Sequence, residues 1–474
     1  MAVPTLDPIV DTPPPDPQTW RHLPGAIRPL DPDRVQALLA VEWQRFTAQT
    51  PRSGVHNRRA ADSLPLGVTS SFQHWDPYPI AITAAQGAWL TDVDGRRFLD
   101  LSMGFGAMLV GHLNPIVVAR VTEALLQTGT LFVTPSPTAT DVAERFQRRF
   151  GLDRLRFTNS GTEATMYAVR LARAVTGRPG IVKIEGGYHG GYDALSVSVK
   201  PDVIEAGPED APVPVIPPEV AAGLVHVVGY NDLARLRTLL REQAGQIAAV
   251  VMEPVLENIS IVLPDAGYLA GVRRACDDHG VLLVFDEVKT GLTAGYAGAS
   301  QRLGVTADLV TLAKSIGGGL PLAAFGGRAE IMAGVTDGRM PHFGTYNGNP
   351  LVMAAAVAVD EVCTEQALTE AEQRNNRAMA AMDAIIAEYE LPAHTVGFGV
   401  KGAVTWSQDP VRNYRDYKRT DFHAAELSWL WGINRGILTP PGLDEQWLVS
   451  LAHTQADMDL LVEALAELGA ALRA

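Results

Sequence analysis

The sequence predicts an α/β protein with a large, mostly parallel-sheet domain and a smaller α+β domain. Three observations predict it. Short apolar runs alternate with helix-like stretches from about residue 114 to 325, which is the signature of strands covered by helices. Glycine clusters follow several of those runs. The chain has 474 residues, too many for one small domain but suited to a large and a smaller one sharing a core.

The elements follow in order. Residues 1–32 are dense in proline, which fixes φ and lacks the amide proton, so neither a helix nor a central strand is expected. An extended arm with Trp20, Leu23 and Ile27 to bury is expected, or a disordered segment. A helix is expected over residues 33–50, with Asp31 or Asp33 as its cap. A hairpin is expected around Asp92-Val93-Asp94-Gly95, whose carboxylates read as turn residues and not as a metal site. Strands are expected at Leu155–Thr158, Gly180–Ile184, Ala248–Glu253, Val281–Asp286 and Leu309–Leu312, and helices at Glu163–Ala174 and Gly267–His279. An Ala-rich helix (Val352–Glu361), shorter strands and a terminal helix (Thr454–Leu472) follow. The organisation is then an arm (1–32), a segment completing the small domain (33–113), a large domain (114–340) and a C-terminal small domain (341–474).

Composition excludes several classes. The formal charge is 39 − 53 = −14, against both nucleic acid, which needs a basic face, and anionic lipid. No apolar run is long enough to span a membrane, and no secretory signal is seen. The two cysteines, Cys276 and Cys363, lie far apart and outside any C-x-x-C pattern, so a reducing cytoplasm and buried thiols are expected.

Four motifs carry chemistry. In Leu312-Ala313-Lys314-Ser315-Ile316-Gly317-Gly318-Gly319, a lysine follows a strand and precedes glycines. Its amine suits a Schiff base with an aldehyde cofactor, or it is a surface-loop lysine. Asp286 ends an apolar strand and must be paired to stay ionised; a protonated pyridine nitrogen would serve, as would the capping of the next segment. Ser160-Gly161-Thr162 opens a helix after a strand, which makes an anion site for a cofactor phosphate or a plain cap. In Gly186-Gly187-Tyr188-His189-Gly190-Gly191, an aromatic between glycines can lie flat on a ring, or the loop is merely flexible; the spacing is not that of a dinucleotide fingerprint. All four fall at strand ends, where one pocket can form.

These segments, with Gly344-Thr345, Gly348-Asn349-Pro350 and Ser450-Leu451-Ala452-His453-Thr454, resemble the class III aminotransferases. These are enzymes of pyridoxal phosphate (PLP) with the aspartate aminotransferase-like fold (fold type I). The resemblance runs from about Leu64 to the end and is strongest to the glutamate-1-semialdehyde aminomutase branch. It implies that Lys314 forms the Schiff base and shuttles protons, that Asp286 pairs with the ring nitrogen, and that Ser160, Gly161 and Thr162 hold the phosphate. Tyr188 would stack on the ring, with His189 beside it, and Glu253 and Asn258 would line the pocket. Thr345 would reach the cofactor of a neighbouring subunit, implying a homodimer with shared sites. Glu445 would stand near the entrance, and the loop 200–224 would be a mobile lid.

Two positions depart from the branch. Gln73 stands where an arginine binds the substrate carboxylate, and a neutral amide cannot form that charged pair. Lys289 replaces an apolar residue, either supplying a cation in the pocket or facing solvent. The expected activity is therefore an aminotransferase working between an amine or amino acid donor and an oxo acceptor. An intramolecular aminomutase is the alternative. Racemisation, decarboxylation and a non-catalytic PLP sensor remain further readings.

Overall fold

The computed structural model describes residues 21–22, 25–441 and 446–474, residues 21–22 by backbone alone. Its centre is a seven-stranded sheet. The strands run in the order Arg154–Thr158, Ala323–Gly327, Leu309–Leu312, Leu282–Asp286, Ile247–Met252, Gly180–Ile184 and Val225–Val228. The last five are mutually parallel, and only Ala323–Gly327 runs against its neighbours. The α/β class is thus as the sequence predicts, and the carboxyl ends that carry Thr158, Asp286 and Leu312 lie along one edge.

Two of these strands are not singled out by the sequence pattern. Val225–Val228 is a four-residue edge strand. Ala323–Gly327 has almost no β-branched or aromatic content, because it is wedged between two backbones. A Cβ on Gly326 would stand 2.6 Å from the Arg154 carbonyl oxygen, and one on Gly327 would stand 2.1 Å from that of Asp308. Glycine is required there by close approach.

Helices cover both faces. Gly161–Thr176 packs across the central strands, and its N-terminal end points at the sheet edge just described. Tyr268–His279 buries Leu269, Val272 and Cys276 behind the sheet. Both cysteines are buried free thiols, Cys276 within this helix and Cys363 directly after the helix Pro350–Val362; burial pushes each up to about 12. The Ala-rich Pro350–Val362 packs on Pro115–Gln127 and Pro137–Phe150. Its small side chains permit that approach.

Two four-stranded sheets complete the architecture. One joins Arg21–His22, His394–Phe398, Lys401–Thr405 and Trp447–Leu448; the other joins Ile437–Leu438 to the hairpin strands Arg97–Asp100, Trp89–Asp92 and Ile82–Gln86. The hairpin turn forms where expected. Asp94 accepts from the Arg52 and Ser53 amides, so this carboxylate caps the helix Pro51–Ala61. The helix Pro32–Gln49, capped by Asp31, packs on Phe422–Asn434. Most of the proline-rich segment, with Trp20 and Leu23, lies outside the described residues, as does Glu445. A 24-residue helix, Glu365–Glu388, capped by Thr364, has no counterpart in the sequence reading.

Candidate active site

The sheet edge opens into a cavity of about 440 Å³, a size typical of small-molecule sites. Ser160, Gly161, Thr162, Tyr188, His189, Glu253, Asn258, Asp286 and Lys314 all line it. Motifs spread over more than 150 positions of sequence are thus gathered in one place.

Each side chain is placed by local physics. Ser160 is the N-cap of its helix and accepts from the Glu163 amide at 3.2 Å. The first-turn amides of that helix have no carbonyl partner within it, so they favour an anion at this end of the cavity. Gly190 adopts φ +90°, and a Cβ there would lie 2.4 Å from Thr162 Oγ1. The Tyr188–His189 loop therefore closes onto the helix terminus only because residue 190 has no side chain.

Asp286 is held from three sides. His189 Nδ1 lies 2.8 Å from Oδ2, while Oδ1 accepts from the Val288 amide and from Thr311 Oγ1, both at 3.0 Å. The carboxylate is almost wholly buried, and so is His189. Lys314 begins a short 3-10 turn directly after the strand Leu309–Leu312 and Ala313. Its φ of +50° is left-handed, an unusual conformation for a side chain of this size.

The opposite wall is aromatic. Phe72 meets Tyr188 edge-on, with ring centroids 5.7 Å apart, and Phe105 stands 5.7 Å from Phe72. Asn258 donates to the Tyr188 carbonyl at 3.3 Å. Burial raises the Tyr188 phenol above its ordinary value and Asp286 adds to the effect, so it stays protonated near neutral pH.

Beneath the loop, sequence reasoning missed Lys183. It is fully buried in the strand Gly180–Ile184, and its Nζ donates to the carbonyls of Gly187, at 2.9 Å, and Val197. Burial pulls this amine down to about 7. A lysine inside an apolar strand was the available signal. It anchors the turn that presents Tyr188.

Glu253 is fully buried; one oxygen accepts from the Glu257 amide at 2.9 Å, and Oε1 has no hydrogen-bond partner among the described residues. Burial pushes its carboxyl up to about 7, while His189, Lys289 and Asn258 pull it back. The folded chain therefore binds this proton more tightly than the unfolded one. The associated stability is fully present below about pH 4.5 and is lost as pH rises through about 7. Glu253→Gln is expected to remove that decline, a relative gain of about 3 kcal/mol at pH 8. Urea unfolding of both proteins at pH 5 and pH 8 checks it.

Three sequence candidates lie elsewhere. Gln73 is exposed and does not line the cavity; its side-chain oxygen accepts from Thr69 Oγ1 at 2.8 Å and the Thr69 amide at 3.1 Å. Its neighbour Phe72 takes the place at the rim. Thr345 is exposed and outside the cavity of its own chain. Glu445 is outside the described residues. Lys289 does not face solvent. It is buried, lines the cavity, and donates to the Glu257 carbonyl at 2.8 Å.

A family model for class III aminotransferases matches residues 71–434. The chain belongs to the class III aminotransferases. A glutamate-1-semialdehyde 2,1-aminomutase of Thermus thermophilus is 39% identical over 426 residues, covering 88% of this chain and 99% of that protein. Among solved structures, a glutamate-1-semialdehyde aminomutase from Pseudomonas aeruginosa superposes with a TM-score of 0.85 at 29% identity, over 94% of this chain and 99% of the other. An omega-transaminase from Sphaerobacter thermophilus gives 0.83 at 30% identity, over 89% and 98%. A variant of the Pseudomonas protein was solved in complex with PMP.

The cofactor of this class III aminotransferase is pyridoxal phosphate, and the residues present fit it. The helix N-terminus suits a phosphate, the buried Asp286 suits a protonated ring nitrogen, and a lysine amine stands in the same cavity. The fold is that of the fold type I enzymes. Among the described residues no helix is long and apolar enough to cross a membrane.

Proposed function

We propose that this protein is an aminotransferase that moves an amino group from an amine or amino acid donor to an oxo acceptor, with Lys314 as the cofactor-bearing residue. The observation that carries this reading is the meeting of Lys314, Asp286 and the Ser160–Thr162 helix terminus in one cavity. When bound, pyridoxal phosphate supplies an electron-accepting ring conjugated to the reacting carbon. Lys314 Nζ would hold the cofactor at its aldehyde carbon and would carry a proton to and from the reacting carbon. Asp286, its carboxylate oriented by His189, would keep a proton on the ring nitrogen. Ser160, Gly161 and Thr162 bind the phosphate. Tyr188, steadied at its carbonyl by Asn258, would bear on the cofactor ring, and Phe72 and Phe105 would exclude water.

An aminomutase acting within one molecule is the second reading. The names of the relatives, matched over nearly the whole chain, support it better than they support two-substrate transfer. The two-substrate reading has the weaker support of Gln73, which is neutral where the aminomutase branch has an arginine, though its side chain turns onto Thr69 outside the cavity. Visible absorbance of the PLP-loaded protein, followed while amines are added without acceptor, tests the pair. Lasting bleaching that a keto acid reverses supports the aminotransferase; isomerisation of an amino-aldehyde without lasting bleaching supports the aminomutase.

The same reading includes a cytoplasmic homodimer with small-molecule substrates. Two segments carry neighbouring exposed apolar side chains, Leu125, Leu126 and Val133 in one and Phe343 and Tyr346 in the other. Thr345 lies in the second, available to a neighbouring site. Faces of this kind mark association surfaces. Leu126→Asp with Val133→Asp is expected to convert the dimer to monomer and to lower PLP retention, as read by light scattering and absorbance.

A further inference from the structure

The turn that would hold the cofactor phosphate is itself held by a residue outside the cavity lining. Asn159 lines the cavity directly before Ser160. Its Nδ2 donates to Asn347 Oδ1 at 2.8 Å and to Glu163 Oε2 at 3.3 Å. Its backbone amide donates to the same Glu163 oxygen at 2.6 Å. Glu163 is an acidic residue in the first turn of the helix Gly161–Thr176. Left free, its carboxylate would compete with a phosphate for the helix terminus. Tied to Asn159, that oxygen is already engaged.

Asn347 lies 188 positions further along the chain, within residues 342–349, and its surroundings fix its direction. Tyr167 Oη, on the phosphate-binding helix, donates to the Phe343 carbonyl at 3.1 Å. The His342 ring stands edge-on to Tyr167, with centroids 4.4 Å apart, and to Phe325 at 5.3 Å. Burial, with Arg156 adding to it, pulls His342 down to about 4, so the ring is neutral near pH 7. Its Nε2 can then accept from Asn347 Nδ2, 3.3 Å away. An amide nitrogen only donates, so this contact turns Asn347 Oδ1 toward Asn159. Gly344 leaves the space, since a Cβ there would stand 2.3 Å from Asn347 Nδ2. We propose that Asn347 is a positioning residue for the cofactor phosphate. Through Asn159 it holds the Ser160–Thr162 turn and keeps Glu163 engaged, and so sets the affinity for the phosphorylated cofactor. This role rests on the phosphate lying at Ser160–Thr162, whatever the amine substrate.

The test strips the full-length protein of cofactor and titrates it, in phosphate-free buffer, with PLP and with pyridoxal. Pyridoxal has the ring and the aldehyde but no phosphate. Kd values come from the visible absorbance of the lysine adduct, and circular dichroism confirms the fold of each variant. Asn347→Ala should weaken PLP about fivefold to twentyfold, the span of one polar contact, and pyridoxal less than about twofold. In an Asn159→Ala background the same substitution should add no further loss. Tyr167→Phe frees the Phe343 carbonyl but leaves Asn159 alone, and should change PLP less than about twofold. Equal weakening of PLP and pyridoxal overturns the proposal and makes Asn347 a structural residue. An unchanged PLP affinity overturns it outright. Additive losses in the double variant overturn the route through Asn159. A loss in Tyr167→Phe equal to that in Asn347→Ala overturns it in favour of residues 342–349 acting as a whole. Wild-type protein that binds pyridoxal as tightly as PLP would remove the phosphate site itself, a failure distinct from that of Asn347 alone.

Discussion

Lys314→Ala is expected to lose at least about 10⁴-fold in turnover, on the scale of removing a covalent and acid–base group that act as one. The visible band of the lysine–cofactor adduct should vanish, and borohydride should no longer fix the cofactor to the chain. The fold should survive. Lys314 is partly exposed at the start of a short turn, and its removal leaves no apolar void. Alanine keeps the strained φ of +50°, so stability should move by about 1 kcal/mol or less. The second lysine in the cavity gives the experiment its control. If the adduct persists in Lys314→Ala and disappears in Lys289→Met, Lys289 and not Lys314 carries the cofactor. Mass spectrometry of the reduced protein reads the difference directly.

Much of this site was legible in the sequence because its chemistry is bound to strand ends. Lys314, Asp286 and Ser160–Thr162 each follow a short apolar run, and a parallel sheet puts such ends along one edge. The helix capped by Ser160 and the hairpin at Asp94 were legible for a related reason: capping and tight turns are local. What escaped is set by contacts distant in sequence. Lys183 reads as an odd residue in an apolar strand until the carbonyls of Gly187 and Val197 are seen around it. Lys289 could face either way on paper, and its burial follows from Glu257 and Lys401, the latter over a hundred residues away. The strand Ala323–Gly327 fails every propensity rule, since close backbone packing and not side-chain preference selects its glycines. Gln73 marks a different limit. Its identity was plain, but only the geometry shows that its side chain turns back onto Thr69 and leaves the rim to Phe72.

Asp286→Asn separates charge from shape at the same site, and an activity loss of about 10³-fold is expected, within the range of acid–base groups. Asparagine has the same outline. Its oxygen can still accept from the Val288 amide and from Thr311 Oγ1. Its amide nitrogen, however, replaces the oxygen that faces His189 Nδ1 at 2.8 Å, and an amide nitrogen only donates. His189 must then accept at Nδ1 and carry its proton on Nε2. That atom is buried and has no hydrogen-bond partner among the described residues, so the swap costs about 1–3 kcal/mol of stability. This cost is minor beside the lost negative charge. Without it the ring nitrogen would lose the charge proposed to hold its proton, and the ring would accept electrons poorly. Asp286→Glu should keep the charge but misplace it, giving a smaller loss. Single-turnover bleaching of the visible band by an amine donor distinguishes the two causes. A slow half-reaction with near-normal PLP affinity assigns the loss to the charge. A fast half-reaction with weak PLP retention would instead make Asp286 and His189 a scaffold for the loop that carries Tyr188, and the electronic role would have to be given up.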